Sequence, residues 1–202
     1  MSTIPEIRRL RGAEIAPWLD DVARLRIEVF REWPYLYDGD DAYEREYLTA
    51  YLESPGSVLV LALDGDRVVG ASTGLPLADD QEAFRKPFEQ AGLPVREVFY
   101  FGESVLLPAY RGRGVGHAFF DQREAHAREL GGFRWTAFCA VDRAPDDPRR
   151  PPGYRPNDTF WHGRGYARLP GMTCMLPWKE PGDHEETLHP LTFWLRDWAA
   201  AP

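Results

Sequence analysis

Residues 98–120, VFYFGESVLLPAYRGRGVGHAFF, constrain this chain more than any other stretch. An apolar run ends at Leu107-Pro108 and passes through Arg111-Gly112-Arg113-Gly114-Val115-Gly116 into a segment with helical spacing. A strand that enters a helix through a glycine-rich turn gathers unpaired backbone N–H groups and the positive end of a helix dipole at one point. Such a point binds anions, and phosphate suits it best. Two common phosphate loops do not match. A nucleoside-triphosphatase loop ends in Gly-Lys followed by Ser or Thr, whereas Gly116 is followed by His117-Ala118. A dinucleotide fingerprint opens a βαβ unit and spaces its third glycine after two residues, but Gly112, Gly114 and Gly116 alternate in mid-chain.

The flanking sequence supplies a mixed set of elements. Residues 4–10 alternate as a strand, and apolar residues from Ile15 to Phe30 follow helical spacing up to Trp33-Pro34. A second helix covers residues 42–52, where Tyr43, Tyr47 and Tyr51 recur every four residues until Ser54-Pro55-Gly56 stops it. Asp64-Gly65-Asp66 separates apolar runs at 57–63 and 67–74 and supplies the positive φ of a hairpin turn. Residues 78–91 read as a short connecting helix, 95–107 as the central strand, 114–130 as a helix closed by Gly131-Gly132, and 133–141 as another strand. Five prolines between 142 and 156 forbid a regular element and predict a long loop. A short helix capped at Asn157-Asp158, a strand over 166–178 broken at Pro170-Gly171, and a last strand or helix over 190–198 complete the chain. The order describes an α/β (α+β) fold, a mixed central sheet of six to seven strands with helices on both faces.

At 202 residues the chain suits one domain, expected over 1–178, with 179–202 as a C-terminal extension packed on it or on a second subunit, in a monomer or homodimer. Asp and Glu number 32 against 24 Lys and Arg, a net charge of -8. That balance speaks against a general binder of nucleic acid or anionic membranes and for a cationic substrate. No apolar run approaches the roughly 20 residues of a membrane span, the N-terminus lacks a signal-peptide core, and there are two cysteines, so the chain reads as cytoplasmic.

Residues 108–116, PAYRGRGVG, closely resemble motif A of the GCN5-related N-acetyltransferase (GNAT) superfamily, where Arg or Gln, two variable residues, Gly, one variable residue and Gly or Ala follow the fourth strand. Phe160-Trp161-His162-Gly163-Arg164-Gly165-Tyr166 resembles the family's C-terminal Leu-Tyr-x-x-x-Gly-Phe segment, and the element order over 1–178 is that of the family fold. The resemblance implies direct transfer of an acetyl group from acetyl-CoA to a primary amine of a small molecule, peptide or protein, with no metal. It implies that the N–H groups of Arg111, Gly112, Arg113, Gly114, Val115, Gly116 and His117 cradle the CoA pyrophosphate, the glycines clearing space for close approach. A bulge would splay the preceding strand, and backbone groups of Ser104, Val105 and Leu106 would pair with the pantetheine arm, one N–H meeting the thioester carbonyl.

Acetyl transfer from a thioester to an amine needs a base for the ammonium and an acid for the departing thiolate. Glu103, just ahead of the cofactor segment, is the candidate base, with Glu97 and Glu28 behind it. The acid is where the chain departs from the family. Trp161 stands where a Tyr near the sulfur is usual, and an indole N–H does not protonate a thiolate. Tyr154, His162, Tyr166 or water are the substitutes, or Trp161 simply packs against the pantetheine. The same departure motivates a rival reading, a non-catalytic acyl-CoA-binding sensor of this fold. Cys139 reads as a core residue rather than an acyl carrier, and His184 and His189, five apart, do not share a helix face as zinc ligands would. Trp33, Tyr35, Tyr37, Tyr43 and Tyr47 crowd the first interhelical loop, which in the family walls the acceptor site and here suits a cationic or aromatic amine. Arg143, Arg149, Arg150 and Arg155 read as a solvated loop, or as contacts for the adenosine 3′-phosphate or an acidic acceptor.

Overall fold

The computed structural model describes residues 4–199. Its strands are β1 (Glu6–Leu10), β2 (Val58–Asp64), β3 (Arg67–Pro76), β4 (Val98–Leu106), β5 (Trp135–Val141), β6 (Ala167–Trp178) and β7 (Thr187–Asp197). The helices are α1 (Leu19–Phe30), α2 (Asp41–Glu53), α3 (Glu82–Gln90), α4 (Val115–Leu130) and α5 (Asp158–Gly163). One seven-stranded sheet runs in the order β1-β2-β3-β4-β5-β7-β6. Only β4 and β5 pair in parallel among these neighbours; the other ladders are antiparallel. A mixed sheet with helical layers is the expected class.

Local chemistry places most boundaries. Gly65, at φ 60, turns β2 into β3. Asp40 caps α2 by accepting from the N–H groups of Ala42 and Tyr43. Gly131 and Gly132, at φ 75 and 81, end α4. The expected first helix is shorter, because residues 12–18 form two 3-10 turns, the second carrying Pro17 near its start. Residues 95–97 likewise form a 3-10 turn behind Pro94, not the start of the strand. Pro170-Gly171 does not break β6. The strand is continuous, and a register shift between Arg168 and Thr173 absorbs the pair, with Gly171 at φ 84.

Residues 187–197, expected in an extension beyond 178, form β7 inside the sheet, bonded to β5 on one edge and to β6 on the other. The physical reason is side-chain burial, since Leu191, Phe193 and Trp194 are buried in the core. The two faces of the sheet can be told apart on β4. Phe99 and Phe101 meet His126 and Phe120 of α4, whereas Tyr100 meets Phe84 of α3 on the opposite side.

Candidate active site

The site begins with one extra residue. Ser72 pairs with Ser104 and Gly74 with Phe101, so Thr73 alone faces both Gly102 and Glu103. Such a bulge re-aims whatever follows it. By simple alternation Glu103 would share the face of Phe99 and Phe101; instead it turns toward α1 and meets Arg26. Glycine is required next to it, because a Cβ on Gly102 would sit 1.9 Å from Tyr51 Oη and 2.6 Å from Thr73 Oγ1.

Glu103 is buried, with Oε2 2.7 Å from Nη1 of Arg26 and accepting from the Tyr47 hydroxyl at 3.3 Å. Arg26 also donates through Nε to Glu44, and its guanidinium carbon lies 4.1 Å from the Tyr47 ring centre. The second Glu103 oxygen, Oε1, is buried without a hydrogen-bond partner among the described residues. Burial pushes the Glu103 carboxyl above its ordinary value; Arg26 opposes this, and Glu44 adds to it. Burial alone would depress Arg26, but Glu103, Tyr47 and Glu44 hold its guanidinium well above the usual range. The sequence reading missed Arg26 and Glu44. Their signal lay in spacing: Arg26 stands between Val22 and Phe30, and Glu44 precedes Leu48 and Tyr51, so both charges occupy apolar stripes.

The strand before the phosphate turn is splayed from its neighbour. β4 and β5 pair only at Val98–Trp135, Phe99–Thr136 and Tyr100–Ala137, then part. A cavity of about 850 Å³ lies between them, lined among others by Ser104, Leu106, Arg111, Gly116, Phe160 and Trp161. That size is ample for a cofactor arm. Val105 points into the core, its backbone paired to Ala71. At the turn, Gly114 at φ 83 is the N-cap of α4 and no side chain among the described residues caps the helix, so its first N–H groups can serve an external acceptor. Backbone conformation is what demands these glycines: a Cβ on Gly112 (φ 75) or Gly114 would meet nothing within 4 Å. Arg111 braces the turn, donating to the Leu106 carbonyl at 3.0 Å and pairing with Glu32 at 3.0 Å. Arg113 donates to the Ala109 carbonyl at 2.6 Å, His117 sets its ring edge-on to Phe160, and Val115 is buried. These residues fit a diphosphate at the helix start and an extended arm along β4.

A second cavity, of about 80 Å³, lies on the α1–α2 side, its walls including Tyr35, Tyr37, Tyr43, Tyr47, Tyr100 and Trp178. Both cavities are lined by Phe30, Tyr35, Gly102, Glu103 and Cys139, so they meet at the carboxylate. Tyr154 lines the larger one, half-buried and edge-on to Trp33, and burial raises its hydroxyl. His162 is exposed on α5 beside Trp194 and lines neither cavity. Tyr166 is not available as an acid. Its hydroxyl is buried, shared with Thr136 at 2.9 Å and donated to Glu124 at 3.3 Å. Trp161 is wedged between Phe138 and Trp194. Glu28 and Glu97 are exposed outside both cavities. Burial raises the Cys139 thiol far above its usual value, yet Cys139 is half-buried and lines both cavities rather than lying wholly in the core, and His189 stacks on Trp178.

The proline-rich loop is not simply solvated. Arg143 donates to the Pro34 and Tyr35 carbonyls, each at 2.6 Å, and Arg149 pairs with Asp147 and Glu180. Arg150 and Arg155 line the larger cavity.

A sequence model of the Acetyltransferase (GNAT) family matches residues 20–148, from α1 through the phosphate turn and β5. The chain belongs to this family. Solved structures agree in fold with the GNAT chain. It is similar to ribosomal-protein-alanine N-acetyltransferase from Brucella melitensis (15% identity, TM-score 0.57, covering 95% of this chain and 99% of that one). It is also similar to yncA from Salmonella typhimurium, solved with its cofactor acetyl-CoA (15%, 0.55, 99% and 98%). A GCN5-related N-acetyltransferase from Kribbella flavida reaches 21% identity at TM-score 0.54, covering 95% and 97%. No curated protein matches the sequence. Among the described residues no helix is long and apolar enough to cross a membrane.

Proposed function

We propose that the protein is an N-acetyltransferase that moves an acetyl group from acetyl-CoA directly to a primary amine, with the whole chain acting as one unit. The observation that carries this reading is the meeting of two cavities at Glu103. One suits a long cofactor arm and the other a small acceptor. The N–H groups of residues 111–117 hold the pyrophosphate at the start of α4, and the backbone of Ser104, Val105 and Leu106 holds the pantetheine as an added strand. Acetyl-CoA supplies the activated acyl group.

Glu103 takes a proton from the acceptor ammonium, and its raised carboxyl makes it a stronger base than an ordinary carboxylate. The freed nitrogen attacks the thioester carbonyl, a strand N–H steadies the oxygen, and the carbon–sulfur bond breaks. Tyr154 then donates its proton to the leaving thiolate and is restored by the second proton lost from the new amide nitrogen; Trp161 positions the arm by packing. Glu103→Gln, which keeps the shape and removes the base, is expected to lower kcat/KM by about 10²–10³-fold while leaving the KM for acetyl-CoA within about threefold. Stopped-time assays of free thiol across pH check this, and activity within about threefold of wild type at every pH removes Glu103 as base. Acetyl-CoA binding with no amine-dependent thiol release would instead favour the sensor reading, for which Trp161 in place of Tyr is the motive.

A further inference from the structure

The smaller cavity is roofed. The α1–α2 connection, residues 31–40, is tied across it to the far end of β6. Arg143 donates to the Pro34 and Tyr35 carbonyls, and Trp178 Nε1 donates to Tyr35 at 3.2 Å. The Asp38 N–H donates to the Lys179 carbonyl at 2.8 Å, and Lys179 Nζ lies 3.3 Å from the Asp38 carboxylate. Glu180 closes the brace by pairing with Arg143 at 2.5 Å. Beneath this strap the inner walls are Phe84, Tyr100 and Leu191, all buried, and the exposed lining residues are Tyr43 on α2 and Pro177 on β6. The cavity therefore opens between α2 and β6 and meets the cofactor groove at its inner end.

Its chemistry is equally narrow. At roughly 10–15 Å³ per water-sized position, about 80 Å³ accommodates a group of roughly five to eight non-hydrogen atoms. Tyrosine and tryptophan rings surround that space, and their faces attract a cation while their bodies receive an apolar group. At the junction with the cofactor groove stands Glu103 Oε1, a buried acceptor with no partner among the described residues. A protonated primary amine supplies the missing donor.

We infer that the acceptor is a small primary amine with a compact aromatic or branched apolar body, of the arylalkylamine kind, and not a polypeptide. The body fills the tyrosine-lined pocket, the ammonium meets Glu103 Oε1, and the strap bars a chain from passing through. The inference rests on the amine-acetylation reading but can fail separately from it.

Two measurements on the full chain decide it. Thiol release with acetyl-CoA is compared for phenylethylamine, isoamylamine, ethanolamine and a decapeptide bearing a free α-amine and a lysine. Phenylethylamine or isoamylamine is expected to exceed the decapeptide in kcat/KM by about hundredfold. Amine binding is followed separately, without acetyl-CoA, by calorimetry. Tyr43→Ala, on the exposed rim, is expected to weaken phenylethylamine binding by about tenfold and to leave acetyl-CoA affinity unchanged. Peptide turnover equal to or above that of the arylalkylamine overturns the acceptor class while sparing the transfer reading. Binding of phenylethylamine, weakened by Tyr43→Ala, without any transfer supports the pocket and sinks the transfer reading. Failure of both amines to bind overturns the inference outright.

Discussion

Glu103 is defined less by its own chemistry than by its neighbours. A lone buried carboxylate would stay protonated, and one paired tightly to an arginine would be a poor base. Here Arg26 is shared with a second carboxylate, Glu44, so its pull on Glu103 is divided. Glu44→Gln keeps an acceptor for Arg26 while deleting the charge that raises Glu103. The acid limb of kcat/KM is therefore expected to move to lower pH, with the plateau within about threefold of wild type, as a pH–rate profile would record. A limb that stays in place would separate Glu44 from the base. None of this was legible as a network. Glu103 could be found by its place ahead of the turn, but its partners sit roughly 60 to 80 positions earlier on two helices, and only their intrusion into apolar stripes marked them.

At the scale of elements, local chemistry was legible where a residue type has one conformational use. Asp64-Gly65 gave the hairpin, and the alternating glycines gave the turn into α4, where Gly112 and Gly114 hold positive φ. The bulge at Gly102–Glu103 was reachable only through family resemblance, because nothing in GES distinguishes a bulge from regular strand. The β3–α3 connection carries another buried acid. Asp80 accepts from the Gln81 N–H at 2.8 Å, and burial pushes its carboxyl from 3.8 up to about 7. The folded state thus holds this proton more tightly than the unfolded chain. The stability it contributes is full below about pH 4 and is lost as pH rises toward 7. Asp80→Asn retains the acceptor and abolishes the charging cost. The variant is expected to be more stable than wild type at pH 8 by up to about 4 kcal/mol and indistinguishable in slope below pH 4, measured by urea unfolding. Equal stability at pH 8 would mean Asp80 ionises in the fold without penalty.

For the molecule as a whole, the segment 179–202, expected to pack on the domain or on a second subunit, supplies a strand of the sheet itself. Periodicity left its last part open as a strand or a helix, and the position of a strand in the sheet is a long-range property that no local pattern encodes. β7 lies between β5 and β6 and buries Phe193 and Trp194. Each such ring is worth about 3–5 kcal/mol, against a total stability of about 5–15 kcal/mol. A chain ending at residue 178 is expected to lose its cooperative thermal transition, as calorimetry would show; a sharp transition within about 5 °C of the full chain would refute the essential role of β7.

The parting of β4 from β5 leaves bare strand edges in the interior of a sheet, where most proteins have only rims to defend. A bare edge ordinarily recruits another strand and seeds aggregation. Here the divergence begins after three paired residues, so the opening is a wedge that one thin extended chain can enter and a second sheet cannot. On the proposed function, a bound pantetheine arm would also cover that bare ladder.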